Sequence, residues 1–347
     1  MQPSHPWRAA AATSGYRTTA RLCAGIAIVA FLVLPGCGPA EQEPPADMLP
    51  VTLGVSQESL SALAYIARDH GIFEANGLDV EFIEYPSSQL AHESLVAGQV
   101  EAALCADTPI VIGALQGHPV RIIATASTDA NDIKLVARSD AGIETPRDLE
   151  GKRVGTQRGT AAHFFLHSFL IKSGMSEADV DVRFDSFAAI TEDLISGDLD
   201  AVSLRQPFIG QLHEALGERY VLFEEHGLYG KTMNLCVAQD GTLDPEVKAR
   251  LVRSFIDAEQ QAVSVDIDQT NAEVASALRI APDELCDCMF VEGAVGLRQS
   301  LILTLEDQAR WVRDSGLVEA PTEFDSLAML DPSPLDAVDS DRVTILR

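Results

Sequence analysis

The segment Arg158-Gly159-Thr160-Ala161 stands where a predicted strand gives way to a predicted helix. Backbone amides at the start of a helix are free to bind an anion, glycine allows close approach, and threonine adds a hydroxyl group. The alternative is that Thr160 is an ordinary N-cap, whose hydroxyl accepts a hydrogen bond from a backbone amide of its own helix and contacts no ligand. The segment therefore predicts either an anion site or a helix cap.

Arg205 and Asp107 are the charged side chains that would complete such a site. The Arg205 guanidinium is suited to holding a carboxylate, sulfonate or phosphate, or it pairs with an acid at the surface. Asp107, which Thr108 follows, favours a ligand with an amine, or it caps the helix that begins near Pro109. With Arg205 and Thr160 opposite Asp107, a zwitterion such as an amino-sulfonate would be matched at both ends.

Neutral hydrogen-bonding residues extend the predicted ligand set. Ser56 and Gln57 follow the first predicted strand, and Asn234 lies in a later apolar strand. His163 lies one turn into its helix, where packing or capping is the favoured interpretation. We predict no catalytic residue among them.

Patterns typical of enzymes and metal sites do not occur in the chain. It has no Gly-x-Ser-x-Gly elbow and no His-Glu-x-x-His helix. Gly230-Lys231-Thr232 resembles the end of a phosphate-binding loop, but Glu225 stands where that loop requires glycine. The sequence therefore predicts neither a metal nor a cofactor.

The elements that position these residues alternate between short apolar runs and helical patterns from Leu49 onward. The alternation predicts strand–helix units and a mainly parallel α/β sheet. Helices are expected at 60–71 and up to about 97, with stops at Gly71 and Gly98, after Pro109, at 160–173, at 188–196 and from 245 to about 315. Strands are predicted at 51–55, 80–84, 101–105, 120–125, 133–137, 153–155, 180–184, 199–204 and 233–238. Because ligands gather beyond the carboxyl ends of parallel strands, the loops 56–59, 107–109 and 158–161 are predicted to face one cleft.

Residues 1–36 have the layout of a secretory signal, with three arginines before an apolar run at 22–34. The run is too short to span a bilayer comfortably. Leu34-Pro35-Gly36-Cys37 resembles a bacterial lipobox, which implies cleavage before Cys37 and its acylation; an uncleaved anchor helix is the alternative. Residues 37–48, rich in proline and acids, predict a flexible linker. Both interpretations place the folded part outside the cytoplasmic membrane.

Composition limits the partners. The chain has 52 acidic and 25 basic residues, a formal net charge of -27, which argues against nucleic acid and anionic membrane surfaces. Cys105 and Cys236 lie in apolar runs and are predicted to be buried thiols. Cys286 and Cys288 are predicted to be structural.

Several short motifs occur in a fixed order between residues 51 and 317. They are Ala67 to Phe73, Asn76 to Val80, Leu95 to Ala103, Asp107 to Pro109, Gln116-Gly117, Gly142-Ile143, Asp148 to Gly155, Gly159 to Phe164 and Gly197 to Ala201. Each is weak alone. In this order and spacing they resemble the substrate-binding lipoproteins of bacterial ABC importers for nitrate, sulfonates, taurine and thiamine precursors.

This resemblance implies a two-lobed type 2 periplasmic-binding-protein fold of the α/β class. Lobe 1 is expected at 49–140 with 233–320 and lobe 2 at 141–232, followed by a loosely ordered tail at 321–347. Two crossing strands, at 133–137 and 233–238, would act as hinges when the lobes close over a ligand.

The implied function is capture of a small anionic or zwitterionic solute and its delivery to an ABC permease and ATPase. The protein would be a monomer, lipid-anchored on the extracytoplasmic side. A ligand-sensing lipoprotein that signals to a membrane kinase is the alternative. An enzyme for the thiamine pyrimidine is disfavoured, because the cysteine-rich run of that relative has no counterpart here. The family commonly has an aromatic residue where Arg205 stands, which puts ligands that need stacking there in doubt.

Overall fold

The computed structural model describes residues 48–239, 243–280, 285 and 294–346. Each predicted strand is present. The strands are β1 (Leu49–Ser56), β2 (Leu78–Tyr85), β3 (Ala102–Ala106), β4 (Val120–Asp129), β5 (Ile133–Arg138), β6 (Arg153–Thr156), β7 (Asp181–Phe184), β8 (Ala201–Arg205), β9 (Tyr220–Phe223), β10 (Lys231–Ala238), β11 (Leu297–Arg298) and β12 (Val343–Thr344). The helices are α1 (Ala62–Asp69), α2 (Ile72–Ala75), α3 (Ser88–Val96), α4 (Asp107–Leu115), α5 (Ala161–Lys172), α6 (Phe187–Ser196), α7 (Phe208–Leu216), α8 (Pro245–Ser264), α9 (Ile267–Leu278), α10 (Gln299–Asp314) and α11 (Ser333–Val338).

Two five-stranded sheets form the centres of two lobes. The first has the order β2-β1-β3-β10-β4, in which β10 is antiparallel to both of its neighbours. The second has the order β7-β6-β8-β5-β9, in which β5 is antiparallel to both of its neighbours. Each sheet thus contains one antiparallel strand next to parallel strands that lead into helices.

The chain crosses between the sheets twice, at 130–132 and at 224–230. These crossings differ from the expected lobe boundaries, since β5 belongs to the second sheet and Lys231 and Thr232 to the first. Residues 133–137 and 233–238, expected to be the hinges, are paired on both sides within their sheets. Hinge motion remains a prediction, and we expect it at the two crossings, which lie outside the strand pairing of both sheets.

Helices cover both sheets and bury a large core. The end of α1 and the end of α3 are each followed by a glycine with positive φ, Gly71 at 66° and Gly98 at 68°, where helix stops were predicted. Helix α8 packs on α1, and α10 packs on α4. In the second lobe, α6 and α7 cover one face of the sheet with a separate apolar cluster, while α5 joins the main core.

The carboxyl-terminal segment corrects the expectation of a loosely ordered tail. Helix α11 packs on α8, and β12 pairs with β11. Leu335 is fully buried, and Arg342 lies 2.7 Å from the carboxylate of the buried Glu259. Prolines and aspartates are frequent in this segment, but buried apolar side chains such as Leu335 hold it against the first lobe.

Several short elements were not predicted from the sequence: α2, α7, α11, β9, β11 and β12. Strand β9 is an edge strand of four consecutive apolar residues, and so short a run does not distinguish a strand from a helix by its periodicity. The expectations for the signal segment, for Cys37 and for Cys286 and Cys288 lie outside the described residues. Among the residues described, no helix combines the length and apolarity needed to cross a membrane. Cys105 and Cys236 are buried free thiols, which confirms that prediction.

Candidate functional site

A cavity of about 340 Å³ lies between the two lobes. Strand-to-helix loops of both sheets form its wall, as expected for a ligand site in an α/β fold. This first cavity is lined by Glu58, Pro86, Ser87, Ser88, Gln89, Ala106, Pro109, Ile133, Gln157, Gly159, Thr160, Ala161, Ala162, Ser186, Phe187, Ala188, Arg205, Phe208 and Lys231.

Five helices, α3, α4, α5, α6 and α7, begin at the wall of the first cavity. Ser87 and Ser186 cap α3 and α6, each accepting a backbone hydrogen bond at 3.3 Å. Thr160 precedes α5 but makes no such bond, because its hydroxyl donates to the Gln157 carbonyl oxygen at 2.7 Å. The first amides of a helix have no partner within that helix. The start of α5 therefore offers uncapped donors to an anion.

Arg205 places a cation at the same wall. It ends β8, paired with Ile133 of β5, and it is half-buried. Its Nη1 donates to the Gln206 carbonyl oxygen at 3.0 Å, and its guanidinium carbon lies 5.6 Å from the centroid of the Phe187 ring. Within the described part of the chain no carboxylate forms an ion pair with Arg205. The alternative that Arg205 pairs with an acid at the surface is therefore not seen among these residues.

A buried ion cluster, here called the hinge triad, consists of Glu58, Lys231 and Asp132. Lys231 Nζ donates to Glu58 Oε2 at 2.8 Å and to Asp132 Oδ2 at 2.9 Å, while Glu58 Oε1 accepts from the Ser88 amide at 3.0 Å. Burial opposes the charge of Glu58, yet Lys231 and Arg205 hold its pKa below the ordinary value. Burial likewise opposes the charge of Lys231, and Asp132 and Glu58 raise its pKa. Glu58 and Lys231 are therefore both ionised at neutral pH.

Of the ten predicted ligand residues, the structure brings Gly159, Thr160, Ala161 and Arg205 together in the first cavity. Arg158 lies in the same loop but lines a neighbouring space, the second cavity, with its guanidinium 5.3 Å from the Phe184 ring centroid. The other five line neither of these cavities: Ser56, Gln57, Asp107, Thr108 and Asn234.

Asp107 is turned into the protein instead of the cleft. Its side chain is fully buried and accepts hydrogen bonds from the Tyr229 hydroxyl and from the amide and hydroxyl of Thr232. It is the first residue of α4, whose N-cap is Ala106, so it is not the cap either. Burial raises the pKa of this carboxyl. Its observed partners tie α4 to the second crossing.

The remaining displaced candidates are likewise used by the fold. Ser56 is hydrogen-bonded to Ser61 at 2.9 Å, and Gln57 is exposed and reaches Glu84. Thr108 donates to Asp107, and Asn234 is held within the first sheet by Thr125 and Thr232. The loops 56–59 and 107–109 still reach the cavity, but through the neighbouring residues Glu58 and Pro109.

Sequence reasoning missed several residues of the wall. Ser87 and Ser186 stand between a strand and a helix, the same signal that singled out Thr160. Lys231 was considered only as part of a phosphate loop. Phe187 and Phe208 lie at helix starts and pack together, with centroids 5.7 Å apart.

His163 packs, as its position suggested, and it joins the lobes. Its Nδ1 accepts the Gly159 amide at 3.3 Å, and its ring meets Trp311 of α10 edge-on, with centroids 5.0 Å apart. Glu177 binds His163 Nε2 at 3.2 Å and His167 Nδ1 at 3.3 Å. Burial would raise the pKa of Glu177, but the hydrogen bonds from the two imidazoles lower it to about 2.

We expect the free energy of unfolding to fall by about 2 kcal/mol as the pH drops from about 4.5 to about 2, because Glu177 then takes up a proton. A carboxyl whose pKa is lower in the folded chain stabilises it above the unfolded pKa, and this contribution disappears as the pH falls through the folded pKa. Urea unfolding of wild type and Glu177→Gln at acid and neutral pH measures this. The stability gap between the two should shrink in acid; a gap independent of pH, as expected for the exposed control Glu218→Gln, would contradict it.

No group of three or more potential metal ligands is assembled in the part of the chain that the structure describes. The first cavity has one acidic side chain, Glu58, which is already bound to Lys231 and to the start of α3. The arrangement supplies hydrogen-bond donors and one cation, Arg205, that forms no ion pair among the described residues, which suits reversible binding of an anion.

Two lobes, two crossings and a cavity between them define the type 2 periplasmic-binding-protein class. The alkanesulfonate-binding protein SsuA from Xanthomonas axonopodis pv. citri, bound to MOPS, has this fold, with a TM-score of 0.68 at 18% identity over 82% of this chain and 99% of that one. The model of the family described as NMT1/THI5 like matches residues 60–270. The chain belongs to that family.

Curated relatives are also similar in sequence to part of this chain. A provisionally named binding protein of Brucella abortus is 26% identical over 49% of this chain, and the match spans 52% of that relative, about half its length. A provisionally named aliphatic sulfonates-binding protein of Bacillus subtilis is 25% identical over 66% of this chain and 70% of its own.

Proposed function

We propose that this protein is an extracytoplasmic solute-binding protein that captures a small organic anion or zwitterion for an ABC importer. The observation that carries the proposal is the pairing of Arg205, which has no ion-pair partner among the described residues, with the uncapped start of α5 in one cavity between two lobes. An anion placed there gains charge-assisted hydrogen bonds from both. Membership of a family that includes named sulfonate-binding proteins supports it.

The cavity favours an organic anion over a bare inorganic one. Its volume of about 340 Å³ lies at the lower end of the range of small-molecule sites. Phe187, Phe208 and Ile133 provide apolar surface beside Arg205. Glu58 takes the place proposed for Asp107 as the acid of the cavity wall, and the amine of taurine or another amino-sulfonate would share its carboxylate with Lys231 and the Ser88 amide. Nitrate would leave this apolar surface unused.

Binding is proposed to close the lobes about the two crossings, so that residues of both sheets contact one solute. Gly159, Thr160, Ala161 and Arg205 come from the second lobe, and Glu58 from the first. Tethering through an acylated Cys37 and delivery to a permease and its ATPase belong to the same proposal, by analogy with the family.

Calorimetric titration of the purified protein tests the proposal. We expect ethanesulfonate and taurine to bind, and the neutral isostere ethyl methyl sulfone to bind at least about 100-fold more weakly, because it cannot form charge-assisted bonds. Nitrate serves as the inorganic comparison. A sulfone that binds as tightly as ethanesulfonate, or a protein that binds none of these anions, would contradict the proposal.

A further inference from the structure

The second cavity lies beside the first, between α3, α4 and the loop before α5, and has a volume of about 380 Å³. It is therefore as large as the first cavity. A single small anion such as ethanesulfonate does not need this additional space. Its position raises the question of whether the two spaces hold one molecule.

Three residues line both cavities: Gln89, Pro109 and Gly159. Gly159 has no side chain, and Pro109 is compact. The Gln89 side chain is exposed and hydrogen-bonded to Glu93 at 2.9 Å. The boundary between the two cavities, formed by these three residues, thus contains no bulky side chain. The Gln89 side chain, which is flexible, is the one that extends from it. Gly159 is also the neighbour of Thr160, where the anionic head would be held.

The walls of the second cavity suit an uncharged chain. Val96, Ala97, Ile112 and Leu317 supply apolar surface, and Val96 is 38% exposed. His92 is buried against Gly113, and its Nε2 has no hydrogen-bond partner among the described residues. Burial lowers the pKa of His92 to about 4, so its ring is neutral at pH 7.

Charge within the second cavity is balanced. Glu93 and Arg158 are its acid and its fixed cation, both exposed, and the exposed His118 completes the titratable groups. A second anion in this cavity would contact Arg158 with the Glu93 carboxylate nearby, whereas an alkyl chain would contact apolar side chains. Because the second cavity adjoins the first, an alkyl chain attached to an anion in the first cavity is the better occupant.

We propose that the second cavity receives the apolar tail of an elongated organic anion whose charged head lies at Arg205 and the start of α5. The inference rests on the proposed function and narrows its substrate class to amphipathic anions with a linear chain. The chain passes over Gly159, between Pro109 and Gln89. Short sulfonates then occupy only the first cavity, and longer ones occupy both cavities.

A chain-length series tests the inference. Titration of the purified protein with ethane-, butane-, hexane- and octanesulfonate should show affinity rising about fourfold for each methylene that enters the second cavity. Ala97→Trp fills that cavity from α3 without touching the first. It should weaken octanesulfonate binding at least about tenfold and leave ethanesulfonate within about twofold.

Leu90→Trp is the matched control, since Leu90 is exposed on the same helix and lines neither cavity. It should change neither affinity. Equal affinities across the series, or octanesulfonate binding that Ala97→Trp does not weaken, would overturn the inference while ethanesulfonate binding still stands. If wild type binds no sulfonate of any length, the proposed function itself fails.

Discussion

Replacing Lys231 with methionine is expected to destabilise the folded protein by about 3 to 5 kcal/mol. Its side chain is 4% exposed, and those of Glu58 and Asp132 are 5% and 6% exposed. Removing the ammonium group leaves two buried carboxylates without the cation that both contact. Each must then remain charged in a poorly solvated place or take up a proton. Urea unfolding followed by circular dichroism at pH 7 gives the difference.

The control for this prediction is Lys134→Met. Lys134 pairs with Glu224 nearer the surface, where Glu224 is 41% exposed, and such pairs contribute about 1 kcal/mol or less. A triple variant, Lys231→Met with Glu58→Gln and Asp132→Asn, should recover much of the loss, because it leaves no unpaired buried charge. If Lys231→Met costs no more than Lys134→Met, the hinge triad is not the buried ion cluster described.

The hinge triad also links the parts that must move. Asp132 ends the first crossing, Lys231 follows the second, and Glu58 accepts the amide at the start of α3. Both crossings are therefore fixed, through one ammonium group, to the first-lobe wall of the cavity. Any closure about the crossings must occur around this cluster or disturb it.

The sequence predicted the residues whose role depends on local position. Gly159 to Ala161 and Arg205 were found because the end of a strand and the start of a helix can be recognised from neighbouring residues. Ser87 and Ser186 carried the same local signal and were overlooked. Strand order and the antiparallel placement of β5 and β10 depend on pairing between distant segments, and they were not predicted; the resemblance to a family implied only two lobes and two crossing strands.

The choice between two acids could not be made locally. Asp107 and Glu58 both lie in strand-to-helix loops, and only one lines the cavity. Asp107 turns inward because Tyr229 and Thr232, more than a hundred residues later, offer it donors. Glu58 stays charged because Lys231, 173 residues away, approaches it. Neither partner is visible from the residues around the acid.

Arg205→Ala is expected to weaken ethanesulfonate binding about 100-fold while leaving the melting temperature nearly unchanged. Two charge-assisted hydrogen bonds to a desolvated anion account for roughly 3 kcal/mol, and tenfold in affinity corresponds to about 1.4 kcal/mol. The fold should tolerate the change, because no ion pair among the described residues uses Arg205 and its side chain is half-buried. Calorimetry and thermal unfolding of the same preparation separate the two effects.

Two further variants show whether the effect belongs to the guanidinium at this position. Arg205→Lys keeps the charge but loses the planar pair of donors, so it should bind about tenfold more weakly than wild type. Arg158→Ala removes a nearby exposed arginine that lines only the second cavity, and it should change ethanesulfonate affinity less than about threefold. If Arg158→Ala abolishes binding and Arg205→Ala does not, the anion lies on the other side of Gly159. Since Gly159 is shared by both cavities, the comparison locates the head group directly.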